Sequence, residues 1–181
     1  MRGGAIRRET SLISAVVLGS LAFGAPPVRA ADEVHCVSIH EIVLSQGLSI
    51  QPSSGSITAR SGTMECHGPV NDRTPTGIGN YREDARYGTK DPDTCQEGGE
   101  AEGVFSSTVP TEGGDQLLEA AFTALYGDLT ANPGAVSGQF EGRGVRGTIK
   151  ATPLEGDCIV RPVTLIRIHA DFYFAQSFFR R

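Results

Sequence analysis

The chain has 181 residues, 39% hydrophobic, 20% charged and 7% aromatic, a length for one ordinary domain and a mixture too balanced for a disordered or fibrous protein. Sixteen Lys and Arg face 21 Asp and Glu; without Arg2, Arg7, Arg8, Arg29 and Glu9 of the leader described next, 12 basic and 20 acidic residues remain, a net charge of −8. That balance offers no basic stripe for phosphates, which argues against nucleic acid as a partner, and it disfavours docking on anionic lipid.

Residues 1–30 have the layout of a secretory signal peptide: an Arg-bearing start, an apolar run over 12–23, the helix breaker Ala25-Pro26-Pro27 and the small-residue site Val28-Arg29-Ala30. Cleavage is expected after Ala30. The apolar run is well short of the ~20 residues that span a bilayer, so the mature chain is expected to have no transmembrane span. Arg7-Arg8 is followed by Glu9-Thr10-Ser11, where twin-arginine signals prefer apolar residues, so the ordinary secretory route is expected. Residues 31–181 form the expected single domain, secreted outside the cell.

Of the 23 Gly, 19 lie in this mature part, singly or in pairs between short runs of alternating residues, which is punctuation between strands. In chain order the alternation predicts strands over 48–51, 56–60, 63–68, 77–87 and 101–109, with turns at 52–55, 71–75 and 91–93. Residues 116–127 place Leu117, Leu118, Ala121, Phe122 and Leu125 at helical spacing, yet also fit a buried strand, and their strand-like neighbours tip the reading to strand. A strand over 136–140 follows the turn Asn132-Pro133-Gly134, and 145–152 alternates again. Residues 163–174 give the clearest strand, with Ile166, Ile168, Ala170, Phe172 and Phe174 on one face and Arg167, His169, Asp171 and Tyr173 on the other. The reading is an all-β domain of about eight strands, a single antiparallel barrel of calycin-like form or a sandwich.

Four cysteines in an exported chain read as two disulfides. Of three connectivities the expected one is Cys66 with Cys95 and Cys36 with Cys158, closures contributing about 3.5 and about 5 kcal/mol on the loop-entropy model.

The run from Phe140 through Gly142, Gly144, Gly147 and Thr148 to Pro153, with Glu155-Gly156-Asp157-Cys158 and Arg161-Pro162-Val163-Thr164, resembles the C-terminal half of secreted bacterial all-β proteins. Its glycine-spaced strands also resemble barrels of the allene oxide cyclase and dirigent type. The resemblance covers about a third of the mature chain, implies architecture only, and brings no active-site residue with it.

Reaction motifs are absent: the mature chain has no G-x-S-x-G, and His40-Glu41 does not extend to H-E-x-x-H because Leu44 stands where the second His belongs. The polar row Arg167, His169, Asp171 and Tyr173 is the candidate catalytic set, since an Asp beside a His on one strand face can orient it as a base. The competing reading is a solvated outer face. Asp91, Asp93 and Glu97 are weak calcium candidates, because Cys95 interrupts the oxygen donors an EF-hand loop would need. His35 and His40 are five apart, so one regular strand would point them to opposite faces. Five of the 12 aromatic residues fall between Phe172 and Phe179, as a cover for one end of the core or as an exposed patch.

The expected function is a secreted, disulfide-stapled binding or interaction module that needs no cofactor. It would hold a small apolar or amphiphilic ligand in its interior or meet an extracellular protein. The alternatives are a cyclase-like barrel enzyme using the polar row, and a cell-surface structural protein self-associating through its C-terminal aromatics.

Overall fold

The computed structural model describes residues 33–129 and 138–179. The expected leader and its cleavage point, the turn at 132–134 and the first two residues of the expected strand 136–140 lie outside the described residues. The strands are β1 (Glu33–Leu48), β2 (Gly55–His67), β3 (Gly79–Asn80), β4 (Arg82–Tyr87), β5 (Gly99–Val109), β6 (Gln116–Tyr126), β7 (Gly138–Gly142), β8 (Val145–Glu155) and β9 (Val163–Ala175). A single turn of helix, α1 (Gln176–Phe179), follows β9.

All pairings are antiparallel between chain neighbours, β4 lying beside β2, and β9 returns to pair with β1 while β1 pairs with β2. Eight strands therefore close into an up-and-down barrel, and β3 is an extra short strand on β2. Closure decides between the barrel and the sandwich that alternation alone left open, and it removes every long free edge.

Strand period two then assigns the interior. Val34, Cys36, Ser38, His40, Ile42 and Leu44 of β1 point inward, as do Leu118, Ala120, Phe122 and Ala124 of β6. The segment 116–127 is thus a strand, and its helical spacing arose because Leu117, Ala121 and Leu125 face out. The expected strand 48–51 is instead the end of β1 and the turn after it. β1 escaped the pattern because Cys, Ser and His fill half of its inward positions. The segments 56–60 and 63–68 are one strand carrying a bulge: Glu41 pairs with Ser61 but Ile42 with Ala59, leaving Arg60 as the extra residue. Before the bulge Ile57 and Ala59 face in; after it Gly62, Met64 and Cys66 do. The segment 77–87 breaks into β3 and β4 opposite that bulge.

β1 starts at one end of the barrel, whereas β5 and β9 start at the other. The end carrying the β1–β2, β4–β5 and β8–β9 loops is called upper here. At the lower end the rings of Phe172, Phe105, Phe140 and Phe174 interlock with centroids 4.6–6.1 Å apart. Phe178 packs on Phe174 at 5.0 Å and is buried, so the terminal aromatics cover that end rather than forming an exposed patch. No described helix is long and apolar enough to cross a membrane.

The disulfides are Cys36–Cys66 and Cys95–Cys158, which corrects the expected pairing. Cys36 and Cys66 are direct cross-strand partners on the inner face of β1 and β2, with Cα atoms 4.0 Å apart. Cys95 and Cys158 join the β4–β5 and β8–β9 loops at the upper end. The expected Cys66–Cys95 link would have to run the length of the barrel. Non-reducing peptide mapping of the folded protein is expected to recover Cys36 linked to Cys66 and Cys95 to Cys158. In denaturant titrations, Cys36→Ala/Cys66→Ala should lose about 3.6 kcal/mol and Cys95→Ala/Cys158→Ala about 4.3 kcal/mol, because the second pair closes the longer loop.

Candidate functional site

Eight strands leave an interior just wide enough for side chains to fill, so small residues on the inner face decide where it stays open. Above the aromatic floor, Ala101 pairs with Ala124 across β5 and β6, and these two with Ala151 and Ala170 line a cavity of about 80 Å³. Its wall is otherwise aliphatic and aromatic: Ile42, Leu44, Ile57, Ile166 and Ile168 with Phe105, Phe122, Phe140 and Phe172, and with Leu48 and Leu129 towards the upper end.

One polar group of residues interrupts this wall. His40 Nε2 lies 3.3 Å from Glu83 Oε2, Tyr81 donates its hydroxyl to the same oxygen at 2.8 Å, and His40 Nδ1 lies 3.1 Å from Ser38 Oγ. The His40 ring stacks on Tyr81 with centroids 4.2 Å apart. A carboxylate oxygen accepts, so it is the Nε2–H of His40 that faces Glu83. Burial, and secondarily the Glu83 charge and hydrogen bond, hold the Tyr81 phenol well above its ordinary value, so it stays a donor.

These residues come from strands that are not neighbours. β2 lies between β1 and β4, and its inward residue opposite His40 is Gly62. A Cβ there would stand 2.6 Å from His40 Cβ and 3.0 Å from Tyr81 Cβ. The bulge at Arg60 is what turns Gly62 rather than Ser61 inward, and the missing side chain lets His40 and Tyr81 meet across the strand. The Tyr81 amide completes the frame by donating to the Gly62 carbonyl at 3.0 Å.

The upper end is closed by a second buried polar contact. Asp93 exchanges backbone hydrogen bonds with Ser53, and its Oδ2 accepts from the Tyr126 hydroxyl at 2.5 Å and the Gly88 amide at 3.0 Å. Cys95 donates its amide to the Ser49 carbonyl, and its own carbonyl accepts from Leu129, which seats Leu129 over the cavity. Burial, with the Asp93 hydrogen bond and charge, raises Tyr126 strongly.

The calcium candidates are thereby separated: Asp93 is buried in this clasp, while Asp91 and Glu97 are exposed. Among the described residues no three His, Cys, Asp or Glu are grouped to hold a metal. The polar row of β9 lies on the outside of the barrel, away from the cavity. Arg167 pairs with Glu41 at 2.9 Å, Asp171 with His35 at 3.0 Å, and Tyr173 stacks on His35 under Arg146. His169 is exposed beside Ile39 and Lys150 in the ladder. Arg167, His169, Asp171 and Tyr173 therefore read as cross-strand surface pairs, each contributing at most about 1 kcal/mol. His35 and His67 pair on the same outer face, whereas His40 points into the barrel.

His40 and Glu83 were not singled out as site residues, though a signal existed. Tyr81, Glu83, Ala85 and Tyr87 share one strand face against Arg82, Asp84 and Arg86, which places a carboxylate among core residues. Compared with protein-family models, curated proteins and solved structures, the chain matches none.

Two measurements test this geometry. Gly62→Val is expected to cost at least about 2 kcal/mol by separating His40 from Tyr81, read by denaturant titration. Both tyrosines have raised folded values, so their contribution is complete below the ordinary phenol value near 10 and is lost as pH rises above it, where the unfolded chain ionises first. Stability should therefore fall above about pH 10, and Tyr126→Phe should flatten that alkaline limb.

Proposed function

We propose that this chain is an exported small-molecule-binding barrel whose ligand places an apolar portion in the cavity below Leu129. The observation that carries the reading is the apolar space inside the barrel itself. Its cost to stability is borne by a core that elsewhere interlocks ring on ring, and cavities lined mainly by apolar side chains admit apolar guests. At about 80 Å³ it is smaller than the ~150 Å³ cavity that takes a benzene ring, so the inserted group is a short alkyl chain or a similarly slim moiety. Support for export comes from the signal layout of residues 1–30 and from two disulfides, which persist in oxidising compartments. The outer face carries Arg, Glu, Thr, Ser and Lys on most strands, the inverse of a lipid-facing barrel.

An enzymatic reading now rests on the interior rather than on the β9 row. Ser38, His40 and Glu83 are the residue types of a nucleophilic triad, but Ser38 is fully buried and does not line the cavity, so its oxygen cannot meet a bound substrate. Binding is the function this geometry serves best.

The test is xenon uptake and native mass spectrometry of the secreted protein. The expected result is a xenon-dependent shift of the Ala124, Ala151 and Ala170 methyl resonances, lost in Ala124→Leu with the circular dichroism of the barrel retained. Absence of any xenon response in the folded wild-type protein, with no mass adduct, would overturn the proposal.

A further inference from the structure

We infer that the cavity selects a ligand that ends in a hydrogen-bond donor, an amine or a hydroxyl, and seats it on Glu83 Oε1. This rests on the binding function just proposed and concerns the chemistry of the same cavity.

The wall contains four polar side chains: His40, Tyr81, Glu83 and Tyr126. Three of them have no donor left for a guest. His40 Nδ1 is hydrogen-bonded to Ser38 and its Nε2 faces Glu83 at 3.3 Å; Tyr81 gives its hydroxyl proton to Glu83 and Tyr126 gives its own to Asp93. Glu83 is different, because Tyr81 and His40 both converge on Oε2 while Oε1 has no partner among the described residues. No fully buried side-chain oxygen or nitrogen among those residues lacks a partner, so Oε1 is not sealed in protein. Glu83 projects inward and lines the cavity, which is the open space its free oxygen meets.

The remaining function at the cavity wall is therefore an acceptor. Nor does any Lys or Arg line the cavity. A carboxylate guest would face Glu83 with no compensating cation, and a guest with only an acceptor would find no unspent donor. A purely apolar guest would leave Oε1 desolvated and unpaired, at a penalty. A hydroxyl or amine satisfies it, and an ammonium adds a charge-assisted hydrogen bond. The Tyr81 and His40 contacts fix the carboxylate in place beforehand, so little side-chain order is lost on binding.

The experiment is an NMR titration of the folded protein with n-butylamine, 1-butanol, butyronitrile and butyrate, four guests of similar bulk that differ in head group. The amine and the alcohol are expected to bind between about tenfold and a hundredfold tighter than the nitrile and the carboxylate. In Glu83→Gln the amide oxygen keeps the Tyr81 donor beside His40 and its NH2 turns to the cavity, so the preference should swing towards the nitrile. Equal or stronger binding of the nitrile or butyrate by the wild-type protein would overturn the inference. So would an unchanged rank order in a Glu83→Gln protein whose circular dichroism is unaltered. If none of the four binds while xenon still enters, donor selection fails and the apolar cavity reading survives; if xenon fails as well, the binding function itself falls.

Discussion

Closure of the sheet through β1 is the constraint on which the rest of the molecule depends. β1 is paired along both sides, to β2 and to β9, over most of its sixteen residues. Once an eight-stranded ring is closed, its interior volume is fixed within narrow limits and every inward position competes for the same space. Large rings at the lower end leave room only for small residues beside them: a Cβ at inward Gly147 would run into the Phe140 ring. Four alanines above the rings then have nothing opposite them large enough to fill the centre. The cavity is thus a property of the closed ring and of residue size, with the loop residue Leu129 as its cover at the upper end.

The polar group inside depends on the same closure and on one local defect in it. In a regular ladder, inward residues of β1 and β4 are held apart by the side chain of β2. Removing that side chain at Gly62, and using the Arg60 bulge to point the glycine inward, converts a separation of two strands into a ring stack. The interruption between β3 and β4 falls at Tyr81, the residue that occupies the vacated space. Asn80 repairs the ladder there: its side-chain oxygen accepts from the Thr108 amide and its carbonyl from the Ser107 hydroxyl. A bulge, a glycine and a broken strand are therefore one feature, and their joint result is a carboxylate on the inner face, held by the Tyr81 hydroxyl and lying beside His40.

The fold was largely legible in the sequence and the site was not, for a physical reason that particular residues illustrate. Strand β9 alternates Ile, Ala and Phe with Arg, His, Asp and Tyr, so period two shows both its structure and its buried face. That same clarity drew attention to the row on its outer side, where charged residues are ordinary. β1 has the same period, yet its inner face reads Val, Cys, Ser, His, Ile, Leu, and a polar residue inside a barrel looks like one outside until the ring is closed. Glu83 could be placed on the face of Tyr81 and Ala85, but its meeting with His40 requires the bulge, which slips the register by one residue without any mark in composition. Disulfide pairing was hidden for a related reason: which loops share an end of the barrel depends on counting strands correctly, and merging two predicted strands into β2 reverses the count.

The two disulfides explain how such a core tolerates an unfilled centre. A cavity of about 80 Å³ costs on the order of 2 kcal/mol at the usual penalty per unit volume. The staples at its two ends, Cys36–Cys66 beside the polar residues and Cys95–Cys158 above Leu129, each constrain the unfolded chain by more than that on the loop-entropy model. Neither staple fills the space; each stabilises the fold from a position that leaves the middle layer open. A guest at a hundred times its dissociation constant would add about 2.7 kcal/mol, comparable to what the empty centre gives up. Stability thus comes from the ends of the barrel rather than from its middle, the distribution that the proposed binding function requires.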